Sequence, residues 1–342
     1  MLKIKNDKHK RKKKVMNRLQ NLVQWNLCDL LNPSDVHACY QTSHTFSQVL
    51  RKHMIGLREW VFPMETVCLN VKDRACVRKI VFVSPSSFLE IPRGVKQIRF
   101  DEKFNQVLSI VGFPPNVTHL IFGRCFNQPV YIPDHVTHVV FGENFNQPVY
   151  PGNLPIGLTH LTFGREFNHA IEPHTFPLTV SHITFGLLFN KPLVVDNFPP
   201  SVTHLTFGDH FDHPVVFGSL PPNLKHLNFG KWFNQTLQKV HLPPSITHLV
   251  FGDFFSRPIV SGFLPYSLTH LTFGECYDQP INPDVLPQGL THLAVGTYFN
   301  QPQTLRMLHL LQLVITHKKK CLGWMKAPIK HNPFNKRQRT RV

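Results

Sequence analysis

Apolar residues recur along most of this chain in a fixed phase. Each unit can be numbered from the first Leu of Leu158-Thr159-His160-Leu161-Thr162-Phe163, and positions 1, 4 and 6 are then apolar in every unit. Position 4 runs Leu120, Val139, Leu161, Ile183, Leu205, Leu227, Leu249, Leu271 and Leu293, and position 6 is Phe until Val295 replaces it. Alternation across positions 4, 5 and 6 is the period of a strand with one buried face, and Gly at position 7 ends it. The Phe-Gly pair recurs from Phe122-Gly123 to Phe273-Gly274 in one step of 19 and six of 22, and Val295-Gly296 follows after another 22. A phase lock of that kind is what a solenoid requires, because each coil stacks its apolar column on its neighbours.

The second half of the unit starts from a further apolar anchor at position 10, Phe126 through Phe299, with Tyr277 the one tyrosine. Position 11 is Asn in six of nine coils, Asp212 and Asp278 in two and Ser256 in one. Stacked in register, these short side chains would satisfy backbone amides where the chain leaves the strand. Pro at position 13 and a Leu-Pro or Pro-Pro pair before the next strand stiffen the return, so extended and turn structure is expected there rather than long helices. Less regular copies are read at Leu57/Trp60/Phe62, Val77/Ile80/Phe82 and Val95/Ile98/Phe100, and at Leu310/Leu313/Ile315. That predicts 12 or 13 parallel strands and a sheet about 55 Å long at the usual strand spacing.

Composition adds little beyond the repeat, which accounts for the 29 Pro and 29 Phe. The charge of +17 is a matter of location: residues 1–14 carry +7 and residues 318–342 carry +9, leaving +1 for the 303 residues between. The expectation is a nearly neutral body with solvated basic tails that make weak, non-specific polyanion contact. The seven Cys are irregularly placed with no Cys-x-x-Cys pair, which predicts free thiols, no structural zinc and a reducing compartment. No apolar stretch is long enough to span a membrane, so a soluble chain of the cytoplasm or nucleus is expected.

Position 3 is His in nine consecutive coils, from His119 to His292. The alternation puts it on the outer, concave face of the sheet. Three readings stand: a stacked structural ladder, a ligand surface, or a metal or catalytic site. A uniform column is unlike a catalytic constellation, which is one irregular cluster. No nucleophile–base pair or Gly-rich phosphate loop stands out, so no enzyme, cofactor or metal is predicted. Positions 8 and 9 vary freely while the scaffold is copied. Arg124, Arg165, His210, Lys231, Trp232, Phe254 and Tyr298 stand there as a candidate partner surface, with Trp232, Phe254 and Tyr298 as an aromatic stripe. The alternative is a mere rim of the core.

The Leu-x-x-Leu-x-Phe phrase resembles the leucine-rich pattern, and the coil length falls inside that family's window. The phrases Phe126-Asn127-Gln128-Pro129, Phe145-Asn146-Gln147-Pro148 and Phe189-Asn190-Lys191-Pro192 resemble the FNIP repeat family over about residues 95–303, with departures at Ala170, Thr236, Ser256 and Tyr277. Such repeats are abundant in social amoebae and giant viruses of amoebae. The resemblance implies a leucine-rich-repeat-like binding scaffold and brings no catalytic residues. Residues 15–55 show helical spacing, and Leu30-Leu31-Asn32-Pro33-Ser34-Asp35-Val36 with Ser43-His44-Thr45-Phe46 resembles the middle of an F-box. That implies docking on the adaptor subunit of a cullin-based ubiquitin ligase through Leu30, Leu31, Pro33, Val36 and Phe46. The alternative is a helical cap.

The expected order is a basic tail (1–14), a small helical head (15–55), degenerate first coils (56–94), repeats (95–303), a capping coil (304–317) and a basic tail (318–342). The expected function is a non-catalytic protein-interaction solenoid, either the substrate-recognition subunit of such a ligase or a binder without a ligase link.

Overall fold

The computed structural model describes the backbone of residues 60–62, 79–82 and 314–317, and residues 94–108, 113–237, 241–302 and 304 with their side chains. The tails at 1–14 and 318–342 and the F-box-like segment with Leu30, Leu31, Pro33, Val36 and Phe46 lie outside the described residues.

Among the described residues, thirteen short strands form one parallel sheet in strict sequence order. They are β1 (Trp60–Phe62), β2 (Lys79–Phe82), β3 (Gln97–Phe100), β4 (His119–Ile121), β5 (His138–Val140), β6 (His160–Thr162) and β7 (His182–Thr184). There follow β8 (His204–Thr206), β9 (His226–Asn228), β10 (His248–Val250), β11 (His270–Thr272), β12 (His292–Val295) and β13 (Val314–His317). Like positions pair with like: Trp60 with Ile80, Ile80 with Ile98, Ile98 with Leu120 and so on to Leu293. The early degenerate coils therefore stand in the register read from their sequence. The last one does not. Leu293 pairs with Ile315, so Ile315 holds position 4 where Leu313 was expected, and Val295 pairs with His317. A shift of two residues keeps the same face, so the apolar pattern alone does not distinguish the two phases.

Each strand is only three or four residues long, and most of the described return is turn and extended chain. The described returns contain a short 3-10 segment, Pro283–Val285, and helical backbone at Pro302 and Thr304 after the last regular coil. Tight turns at the return's outer corner place Gly152 and Gly218 at φ 88° and 78°, while His174 and Asp196 take the same left-handed conformation at 64° and 65°. The core stacks the aliphatic columns of positions 1 and 4 beside two parallel columns of aromatic rings. Phe163 stacks on Phe167 of its own coil at 3.9 Å and on Phe185 of the next at 5.4 Å, and this pattern repeats to Phe273 and Tyr277. All these rings are buried.

Position 7 has a steric reason to be Gly. A Cβ on Gly164 would sit 1.6 Å from the Gly142 carbonyl oxygen, and one on Gly230 the same distance from that of Gly208. The coils approach backbone to backbone there, and no side chain fits. The polar position 11 forms the predicted ladder. Each Asn or Asp Oδ1 accepts the backbone N–H of the next coil's position 11, as Asn127 does from Asn146 (2.9 Å) and Asn168 from Asn190 (2.9 Å). Ser256 accepts such a bond from nowhere: its shorter side chain makes none to the Asp278 amide, and this rung is missing among the described residues.

Candidate interaction surfaces

The strand's open face carries the His column. Neighbouring rings are stacked at 4.0–4.2 Å along the whole run from His119 to His292. The residue before each His, Thr or Ser in every coil except Lys225, sets its ring. Its hydroxyl lies 2.8–2.9 Å from Nδ1 of the following His in eight coils. The same hydroxyl lies 3.0–3.3 Å from the position 2 carbonyl oxygen of the preceding coil. That carbonyl already accepts two backbone amides, as Thr137 does from Thr159 and His160 at 2.8 and 3.0 Å. The hydroxyl donates its proton to that carbonyl, so the contact to the ring is made by Nδ1–H donating to the hydroxyl oxygen. Nε2 is then the unprotonated ring nitrogen, on the side away from the hydroxyl.

From His138 to His270 the rings are held below the ordinary histidine range, chiefly by burial. Burial first, and then the neighbouring imidazoles His119, His160 and His182, bring His138 down to about 4. Burial and its flanking imidazoles bring His204 down to about 4 as well. Stacked rings of like charge repel, so each imidazolium suppresses the next. The rings lie parallel and do not converge, and among the described residues no three His, Cys, Asp or Glu side chains are placed to hold a metal ion.

The edge of the sheet carries positions 8 and 9. Its backbone is bonded independently of side-chain identity: the position 9 amide donates to the preceding coil's position 8 carbonyl, as Trp232 does to Asp209 (2.8 Å) and Phe254 to Lys231 (3.0 Å). Arg124, Arg165, His210 and Lys231 are exposed there. The two arginines are already engaged, Arg124 with Glu143 at 3.1 Å and Arg165 with Glu166 at 3.6 Å. Trp232, 48% exposed, stacks on half-buried Phe254 at 4.2 Å. Tyr298, 53% exposed, stands two coils beyond Phe254 with Cys276 between, so the stripe is a stacked pair plus a separate ring.

The sequence reading passed over Leu187 and Leu188, both half-buried at the same edge. From Leu188 through His210, Trp232, Phe254 and Cys276 to Tyr298, position 9 carries no formal charge, whereas the coil just before has Glu166 there. The change is legible in the sequence once the column is written out. Cys125 and Cys276 are free thiols, and burial, then Asp253 and Glu275, raise that of Cys276.

The solved structure of CroV588, described as a novel circular LRR protein, resembles this chain with a TM-score of 0.62 at 36% identity, over 66% of this chain. This chain spans 37% of the length of CroV588. None of the curated proteins matches the chain. The FNIP Repeat pattern matches seven times, at residues 88–125, 104–144, 126–165, 145–187, 189–231, 233–276 and 277–307. These matches cover the stacked coils from β3 to β12, and the chain belongs to the FNIP repeat family.

Proposed function

We propose that this chain is a protein-binding scaffold that engages its partner along the sheet edge from Leu188 to Tyr298. The observation that carries this reading is the exposed Trp232 stacked on half-buried Phe254 within an uncharged run of position 9, flanked by Lys231. Large aromatic groups on a rigid base lose little side-chain entropy on binding, and such anchors dominate protein interfaces. The backbone bonds beneath them fix their spacing whether or not a partner is present. Among the described residues no helix is long and apolar enough to cross a membrane.

A folded Trp232→Ala/Phe254→Ala variant tests the reading. Wild-type protein immobilised in cell extract is expected to retain a partner that the variant loses. Identical sets of retained proteins on both would sink it.

A narrower form of the same proposal makes the chain the substrate-recognition subunit of a cullin-based ubiquitin ligase. It is supported by the F-box-like residues Leu30, Leu31, Pro33, Val36 and Phe46. Transfer chemistry would then lie on partner enzymes, and this chain would contribute proximity. Recovery of the ligase adaptor by the full chain and not by a chain lacking 15–55 is the expected result. No adaptor with either leaves a binding solenoid without a ligase link.

A further inference from the structure

The uncharged run at position 9 has one gap between rings. Along the sheet edge the column reads Trp232, Phe254, Cys276 and Tyr298, so a short side chain stands between two aromatic ones. The other edge cysteine, Cys125, has Lys103 and Asn144 beside it instead. Cys276 is half-buried, and its amide donates to the Asp253 carbonyl at 2.7 Å. The coils on both sides of it stay stacked, with Tyr277 6.0 Å from Phe255 and 6.3 Å from Phe299.

Two coil steps put the Phe254 and Tyr298 backbones about 10 Å apart. A planar group that touches a ring on each of its faces needs about 7–8 Å. Trp232 and Phe254 have closed to 4.2 Å with 9° between their planes, so rings at this edge lean toward a stacking partner. Tyr298 is exposed and has room to do the same.

The gap is bordered by acid. Asp253 and Glu275 hold position 8 beside it, with Thr297 beyond. Their charges reach the thiol: after burial, Asp253 and Glu275 raise Cys276, opposed by Lys231 from the far side of Asp253. Thr297 orients the Glu275 carboxylate, its amide and hydroxyl both donating to Oε2.

We infer that the gap between Phe254 and Tyr298 is an arginine slot: the guanidinium of a partner protein lies over Cys276, its faces against the two rings and its edge toward Asp253 and Glu275. This rests on the reading of the edge as the partner surface and names the chemistry that the surface selects. A guanidinium is planar, always charged and carries its N–H donors in its own plane, so it stacks and pairs with carboxylates at once. Lysine has the charge without the plane. A partner's aromatic ring has the plane but brings no charge to set against the two carboxylates.

Ligand-observed saturation-transfer NMR of the full chain with capped arginine, capped lysine and capped citrulline tests the inference. Citrulline keeps the planar end group and loses the charge. The arginine compound is expected to bind in the millimolar range, about three- to tenfold more tightly than either of the others. Cys276→Leu fills the slot with a side chain that the same column already holds at Leu188. It should weaken arginine binding by about fivefold or more. Asp253→Asn/Glu275→Gln should bring arginine down to the level of citrulline. Should Cys276→Leu unfold, Tyr298→Ala, at an exposed position, takes its place with the same expected loss. No binding of arginine, equal binding of the three compounds, or arginine binding unchanged in the folded variant overturns the inference. The extract experiment is independent of these results. A partner that is retained by the wild type and lost by Trp232→Ala/Phe254→Ala, with no preference for arginine, keeps the edge reading and removes the slot.

Discussion

The copied columns and the varied columns stand next to each other in every coil. Position 7 is pinned by backbone contact, position 10 by ring stacking and position 11 by an amide ladder. Positions 8 and 9 lie between them and are held by a backbone hydrogen bond that any residue except Pro can make. A column whose side chains carry the coil-to-coil interaction repeats, and a column held by its backbone is released to differ. Variation at the edge is thus a consequence of how the solenoid is bonded, and it marks where a partner can be specified without loss of the fold.

Substitutions that separate the two kinds of column should differ widely in cost. Gly186→Ala puts a Cβ 1.7 Å from the Gly164 carbonyl oxygen, forcing the coils apart. A loss above about 4 kcal/mol is expected, outside the range of ordinary substitutions. Denaturant unfolding that shows a change below 1 kcal/mol would contradict the close-approach account. Phe189→Ala removes a fully buried ring from the stack, at about 3–5 kcal/mol by the same measurement.

Acidification tests the His column without mutation. The folded values lie below the unfolded 6.5, with His138 and His204 at about 4, so the unfolded chain binds protons first. Stability is therefore intact above about 6.5 and is lost as pH falls toward 4, the reverse of a histidine held by an acid. Thermal melts should fall by roughly 10 °C between pH 7 and 4.5. A His160→Gln/His182→Gln/His204→Gln variant should flatten that dependence.

Smaller effects probe single rungs. Tyr277 buries a hydroxyl that has no hydrogen-bond partner among the described residues, and burial raises its pKa. Tyr277→Phe should therefore stabilise the protein, by about 1 kcal/mol in a denaturant titration, whereas a loss would reveal a partner for the hydroxyl. Trp232→Ala, at the exposed edge, should change stability by less than about 0.5 kcal/mol. The same substitution should weaken partner binding by about 2 kcal/mol or more.

Much of the candidate surface was visible in the sequence because its residues were read as columns. Trp232 and Phe254 meet as expected from their shared position in adjacent coils. The ion pairs of Arg124 and Arg165 were not foreseen, because side-chain reach along an edge is not encoded in the repeat period. Nor was the two-residue offset of the last strand, since both phases bury the same face.

The amino-acid sequence by itself determined the period, the strand positions, the parallel register of the regular coils and the identity of each column. It could do so because stacking identical coils makes every contact a local, repeated one. Only the tertiary structure decided what each column interacts with. The nearest neighbours of a side chain here are usually about 22 residues away, and distance and angle select among its possible bonds. That is why a His column legible as nine letters acquires a tautomer and a suppressed charge only when the coils are stacked.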